Sequence, residues 1–274
     1  MTELIKVMCA VARDAGAAIL QVYADEDLSV QTKSDDSPLT RADLAAHNII
    51  IEGLQEKAPG IPILSEESDG ISFAERSSWD QYFLVDPLDG TKEFINRNGE
   101  FTVNIALIDK GVPMKGVVFV PVEDVMYTGD QYKGIATVTR EGETGAIHVR
   151  KLDRASLTVV ASRRHGGEAL KSCLGVLREK FSSIDTTNMG SSLKLCLIAE
   201  GEADLYPRLA PTSEWDTAAA QAVVEAAGGK VVDVELKALR YNTKENILNP
   251  YFYVVGDTEF DWNGVLSQVD IQPG

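Results

Sequence analysis

The residues of this chain best suited to chemistry are acidic and stand at the ends of apolar runs. In Leu84-Val85-Asp86-Pro87-Leu88-Asp89-Gly90-Thr91-Lys92-Glu93-Phe94 a hydrophobic strand delivers two aspartates three positions apart, and strand ends are where α/β-type folds place ligands. Pro87 fixes its own φ and lacks an N–H, so the chain turns there and the Leu88 carbonyl can face the same side as both carboxylates. Oxygen donors of this kind suit magnesium, which takes one or two carboxylates and fills its other positions with water and substrate phosphate. Gly90-Thr91 then lets the backbone approach a phosphate at the start of a short helix, whose N–H groups favour an anion. Two more carboxylate signals follow the same rule: Ile61-Pro62-Ile63-Leu64 runs into Ser65-Glu66-Glu67-Ser68, and Glu214-Trp215-Asp216-Thr217 opens an alanine-rich helix. Each has a plainer reading, since a lone acidic pair near a turn is usually solvated and Asp216 would also complement a helix dipole. Repetition at three element ends favours a shared cation site.

A different phosphatase chemistry uses a nucleophilic aspartate in a D-x-D-G-T segment. Here one extra residue separates Asp86 from Asp89, which redirects the second carboxylate and argues against a phosphoaspartate intermediate.

The elements that must position these acids are legible from periodicity. Apolar residues at helical spacing mark an amphipathic helix over residues 3–23. Thr40-Arg41-Ala42-Asp43 is a capping-box-like start for a second helix that Pro59-Gly60 ends. Strands are expected at residues 61–64, 82–85, 102–108 and 116–120, giving an α+β half. From residue 157 strand and helix alternate, with strands at 157–161, near 183–187, near 204–206 and at 230–233. The intervening helices cover 168–180, 192–199 and 216–227, and Gly228-Gly229 ends the last. This implies an α/β half. The polar stretch around residues 142–156 is the expected boundary, so the subdomains run 1–155 and 156–274.

The composition excludes several classes. With 274 residues, 44% hydrophobic and 25% charged, the chain can bury a sizeable core. Its apolar runs fall far short of the roughly 20 residues of a membrane span, and the N-terminal pattern carries charges that a signal peptide lacks. The expected location is the cytoplasm, including a loose peripheral position at the cytoplasmic face of the inner membrane. Cys9, Cys173 and Cys196 form no CxxC pair, which argues against a disulfide framework or a thiolate metal site. A net charge of −16 disfavours nucleic acid polymers as partners. Oligomeric state cannot be read from the sequence.

Taken in order, the E-E, D-P-x-D-G-T and W-D signatures resemble those of the inositol monophosphatase superfamily, and Gly190-Ser191-Ser192-Leu193-Lys194 is most similar to its bisphosphate nucleotidases. The resemblance implies a layered αβαβα sandwich with the site between two subdomains. It implies Glu66, Asp86, the Leu88 carbonyl, Asp89 and Asp216 as ligands for two or three Mg2+, with Thr91 positioning the attacking water and Asp43 accepting the threonine's hydrogen bond. Glu66 and Asp89 would share in catalysis, and Gly90, Thr91 and Asp216 would also touch substrate. His165, Ser191, Lys194 and Arg208 match the residues that grip the nucleotide in that group. The implied reaction is loss of the 3′-phosphate from adenosine 3′,5′-bisphosphate during sulfate assimilation, with action on the sulfated analogue and inhibition by lithium. The rivals are an inositol monophosphatase or fructose 1,6-bisphosphatase of the same superfamily and, from another class, a non-catalytic nucleotide sensor.

Overall fold

The computed structural model describes residues 1–25, 28, 30–32, 38–68, 70–161 and 167–271. The chain opens with α1 (Glu3–Tyr23), which buries Ile5, Met8, Val11, Ala12, Ala15 and Ile19 on one stripe. A two-residue ribbon of β1 (Gln31–Thr32) and β2 (Pro38–Leu39) leads into α2 (Arg41–Lys57), started by a capping box between Thr40 and Asp43. Then come β3 (Ile63–Ser65), α3 (Phe73–Arg76), β4 (Gln81–Asp89), α4 (Thr91–Ile95), β5 (Thr102–Asp109), β6 (Val112–Val120), β7 (Val125–Asp130), β8 (Ile135–Arg140) and β9 (Glu143–Ala146). The second half holds β10 (Ser156–Ala161), α5 (Glu168–Lys180), β11 (Ser183–Asn188), α6 (Leu193–Ala199), β12 (Leu205–Arg208), α7 (Glu214–Ala226), β13 (Lys230–Asp233), β14 (Phe252–Val255) and α8 (Asn263–Leu266).

Two sheets result. The larger has order β3-β4-β5-β6-β7-β8-β9, with β3 parallel to β4 and the rest antiparallel. The smaller has order β11-β10-β12-β14-β13, parallel at the β11 side and antiparallel around β14. Because side chains alternate along a strand, each sheet feeds two cores. Phe83 and Val85 of β4 pack with α1 and α2, whereas Tyr82 and Leu84 join α6, α7 and residues of the smaller sheet such as Val160 and Phe252. The opposite face of the smaller sheet, with Val159 and Tyr253, packs on α5 and α8. The order α1/α2, sheet, α6/α7, sheet, α5/α8 is the expected αβαβα sandwich, and the central core draws on both halves of the chain.

The middle helix lies unusually close to the larger sheet. Ala106, Gly116, Gly129 and Ala136 pair in register across β5 to β8, making a small-residue stripe beneath α7. A Cβ on Gly116 would sit 2.0 Å from the Ala219 carbonyl oxygen, and one on Gly129 2.4 Å from that of Ala222. Glycine is therefore required there by close approach, not by backbone conformation.

Several details differ from the sequence expectation. The strand expected at residues 61–64 is β3, Ile63–Ser65, with Phe83 N–H bonding the Pro62 carbonyl just before it. β4 does not stop at Asp86 but runs through Pro87 to Asp89 with a register shift between the aspartates. The stretch expected to be a boundary contributes residues 143–146 to the larger sheet, since β9 folds back on β8 as a hairpin. No helix among the described residues is long and apolar enough to cross a membrane.

Candidate active site

β4, buried on both faces, ends at the bulge that separates Asp86 from Asp89. Asp86 is 2% exposed, and its Oδ1 accepts from the Leu88 N–H at 3.0 Å, folding the Pro87-Leu88 segment around the carboxylate. Gly90 follows at φ 93° as the N-cap of α4, a left-handed conformation that suits glycine. Thr91 is thereby placed with its Oγ1 donating to Asp43 Oδ1 at 3.3 Å, and 3.4 Å from the Leu88 carbonyl. Asp43 serves two purposes at once. Its Oδ2 accepts from the N–H and hydroxyl of Thr40, completing the α2 cap, and Oδ1 faces Thr91. The cap and site readings of Asp43 are compatible.

Glu66 follows β3 directly, its N–H bonded to the Val85 carbonyl on the neighbouring strand. That pairing brings it to Asp86, with which it shares a side-chain hydrogen bond. From the far side, α7 carries Asp216 in its first turn, where Oδ2 accepts from Ser213 N–H at 2.9 Å in a second capping box. Asn249 steadies this helix start by donating to the Ser213 carbonyl and to Thr217.

Electrostatics tie the acids together. Burial pushes the Asp86 carboxyl well above the usual carboxylate range, and the charges of Glu66, Asp89 and Asp216 push it further. Asp216 rises to about 8, first through burial and then through Asp89, partly offset by the Ser213 N–H and by Arg208. Half-buried carboxyls that act on one another around the buried Asp86 stay ionised together only when cations neutralise them. The donor set fits such an ion, being carboxylate oxygens and a peptide carbonyl, the hard ligands of magnesium. Among the described residues these groups do not form a closed cage of three or more ligating side chains; Asp89 and Asp216 each turn one oxygen to local donors instead.

A cleft beside the cluster is lined by Asp89, Gly90, Ser191, Lys194, Arg208 and Asp216. Lys194 is buried, donating to the carbonyls of Ser191 at 2.6 Å and Met189 at 3.2 Å. Burial lowers its pKa to about 8; Asp89 opposes that shift and Arg208 adds to it. Arg208 donates to the Pro211 carbonyl, and its Nε is buried without a partner among the described residues, a feature that suits an anion. The Ser191 hydroxyl, in the cleft lining, donates to Asp89 Oδ2 at 2.6 Å. His165, with Arg163 and Arg164, lies outside the described residues. Trp79 and Trp215 pack against the central core.

Sequence reasoning passed over Thr102, Asn104 and Ser192, which are fully buried around Asp89. The signal was present, because Thr102-Val103-Asn104-Ile105 puts two polar residues on one face of an apolar strand. Gly116 and Gly129 were also missed, since their need arises only where α7 meets them.

The model of the inositol monophosphatase family matches residues 1–259. The chain is 52% identical over 248 residues to a 3′(2′),5′-bisphosphate nucleotidase CysQ of Shigella flexneri, covering 90% of this chain and 97% of that one. It is 51% identical to the protein of the same name from Escherichia coli K12, with the same coverage. The crystal structure of CysQ from Bacteroides thetaiotaomicron superposes with a TM-score of 0.80 at 41% identity, covering 92% of this chain and 97% of that one.

Proposed function

Because this chain belongs to the inositol monophosphatase family, we propose that it is a divalent-cation-dependent phosphatase that hydrolyses the 3′-phosphate of adenosine 3′,5′-bisphosphate to AMP and phosphate. The observation that carries this reading is the joining of an acidic cluster, centred on the buried Asp86, to a cleft holding two cationic side chains, Lys194 and Arg208. A monophosphate substrate would need only the first; a bisphosphate uses both.

Glu66, Asp86, Asp89, Asp216 and the Leu88 carbonyl would hold magnesium, which when bound supplies charge neutralisation, an acidified water and stabilisation of the leaving oxygen. The chain's own groups do the positioning. Thr91 donates its proton to Asp43, so its remaining lone pairs can accept from a water and aim that oxygen at phosphorus. Asp43 cannot swing away, because its other oxygen is fixed by Thr40. Gly90 and Thr91 admit the transferred phosphate against the backbone. Lys194, a point charge, and Arg208, a planar fork, would hold the 5′-phosphate. As the water oxygen bonds to phosphorus the P–O bond to the ribose breaks, and the ribose oxygen takes up a proton released by that water to become the 3′-hydroxyl.

The reading extends to the sulfated analogue and to a place in sulfate assimilation, and names of relatives support the nucleotide over inositol phosphate. The free thiols of Cys9, Cys173 and Cys196 suit a reducing compartment such as the cytoplasm. Phosphate release should be measured for adenosine 3′,5′-bisphosphate, inositol 1-phosphate and fructose 1,6-bisphosphate at saturating magnesium. We expect kcat/KM for the nucleotide to exceed the others at least a hundredfold. Preference for inositol phosphate would move the substrate assignment, and no release from any of them would favour a nucleotide sensor.

A further inference from the structure

Asp89 is held by an apparatus that extends beyond the ligand set. Among the described residues its three side-chain hydrogen bonds fall on Oδ2: from Ser191 Oγ at 2.6 Å, from Ser192 N–H at 2.6 Å, and from Asn104 Nδ2 at 3.5 Å. Behind these donors lies a second row. Thr102 Oγ1 is 2.6 Å from Ser191 Oγ and 2.9 Å from Ser192 Oγ, and Ser192 Oγ donates to Asn104 Oδ1 at 3.0 Å. Thr102 Oγ1 can also donate to Asn104 Oδ1 at 3.1 Å, and the following assignment gives each hydroxyl proton an acceptor. Thr102 donates to Ser191, which donates to Asp89; Ser192 donates to Asn104, whose amide donates to Asp89.

Thr102, Asn104 and Ser192 are 0%, 1% and 2% exposed. Burying polar groups in a strand face that otherwise meets an apolar core costs stability unless the groups are paired and useful. Ser191 adds to that cost with φ 51°, a left-handed conformation outside glycine. The turn that contains it is also tied to the cleft, because Lys194 Nζ donates to the Ser191 carbonyl.

We propose that Thr102, Asn104, Ser191 and Ser192 are positioning residues that saturate one oxygen of Asp89 so that the other faces the cation, and that the Ser191 turn sets the spacing between this carboxylate and Lys194. The hydroxyl of Ser191 therefore serves the metal ligand and not the nucleotide. This inference rests on the cation-dependent phosphatase reading above.

The test uses Thr102→Val, Ser191→Ala and the conservative Thr102→Ser. Mn2+ binding to nucleotide-free protein is followed by the EPR signal of free Mn2+, alongside kcat, KM and Tm. Outer hydrogen-bond partners of metal ligands typically contribute about 10–100-fold in affinity, so Thr102→Val and Ser191→Ala should each weaken Mn2+ binding at least tenfold and lower kcat. Thr102→Ser, which keeps the hydroxyl, should stay within about threefold of wild type. The proposal is overturned if folded Thr102→Val and Ser191→Ala bind Mn2+ like wild type, or if Ser191→Ala raises KM alone. Should Thr102→Val fail to fold, the half-buried Ser191 decides. Wild-type protein that binds no Mn2+ and releases no phosphate would instead sink the underlying phosphatase reading.

Discussion

Replacing Gly116 with alanine tests whether the approach of α7 to the larger sheet places Asp216. The added Cβ would stand 2.0 Å from the Ala219 carbonyl oxygen and 2.9 Å from the Ala222 Cβ, whereas ordinary contact begins at 3.4 Å. The obstacle is helix backbone on one side and a paired central strand on the other, so no side-chain rotation relieves it. α7 must retreat by more than about 1 Å. Overpacking of this kind costs about 1–3 kcal/mol, which in a chain of this size lowers Tm by several degrees at about 2–4 °C per kcal/mol. Asp216 lies three residues before Ala219 on the same helix, so it moves too, and a displacement of about 1 Å at a reacting centre costs on the order of a hundredfold in rate. Phosphate release from adenosine 3′,5′-bisphosphate should be assayed at saturating magnesium, well below the Tm of the variant. Gly145→Ala is the control, because a Cβ there meets nothing within 4 Å. A Gly116→Ala protein that melts like wild type and keeps kcat within twofold would refute the link between the glycine stripe and the site.

Other expectations follow from the same geometry. Thr91→Val should lower kcat about 10²–10⁴-fold, as loss of an acid–base relay does, with little change in Tm, whereas Asp43→Ala should add about 1 kcal/mol of destabilisation because it also removes the α2 cap; equal Tm values would contradict the double role. Lys194→Ala should mainly raise KM for the bisphosphate and leave kcat for a monophosphate ester unchanged; a matching loss on both substrates would argue against a 5′-phosphate contact. The Asp216 carboxyl, at about 8 in the fold against an ordinary value near 4, binds a proton in the folded state that the unfolded chain has released. In chelator its stabilising contribution is therefore fully present below about pH 4 and lost as pH rises to about 8. Cation binding must displace that proton, so the Tm increase on adding magnesium should be larger at pH 8 than at pH 6, and calorimetry showing the opposite order would contradict the proton–cation competition.

Much of this fold is written in local pattern. α1 is complete in its apolar stripe, α5 in its spacing, and the start of α2 in Thr40 and Asp43, because helix periodicity and capping are decided within a turn or two of chain. The D-P-x-D-G-T segment announced the short helix that begins after Gly90. What escaped were features defined by partners far away in sequence. β9 consists of exposed residues held by β8 alone, so it carries no apolar alternation to read. The glycine stripe means nothing until α7 lies on it, and Thr102 and Asn104 look like ordinary strand polarity until Asp89 and the Ser191 turn, some 90 residues on, close around them. Ser191 shows the same limit: its motif marked it, but only the fold shows that its hydroxyl faces Asp89.

The most direct measurement is the anomalous difference map of crystals soaked in Mn2+ with AMP and phosphate. The result expected is manganese bound among Glu66, Asp86, the Leu88 carbonyl, Asp89 and Asp216, with phosphate against Gly90 and Thr91 and the nucleotide's 5′-phosphate at Lys194 and Arg208. Manganese found only elsewhere on this acidic surface, with those carboxylates engaged solely by protein donors, would contradict it.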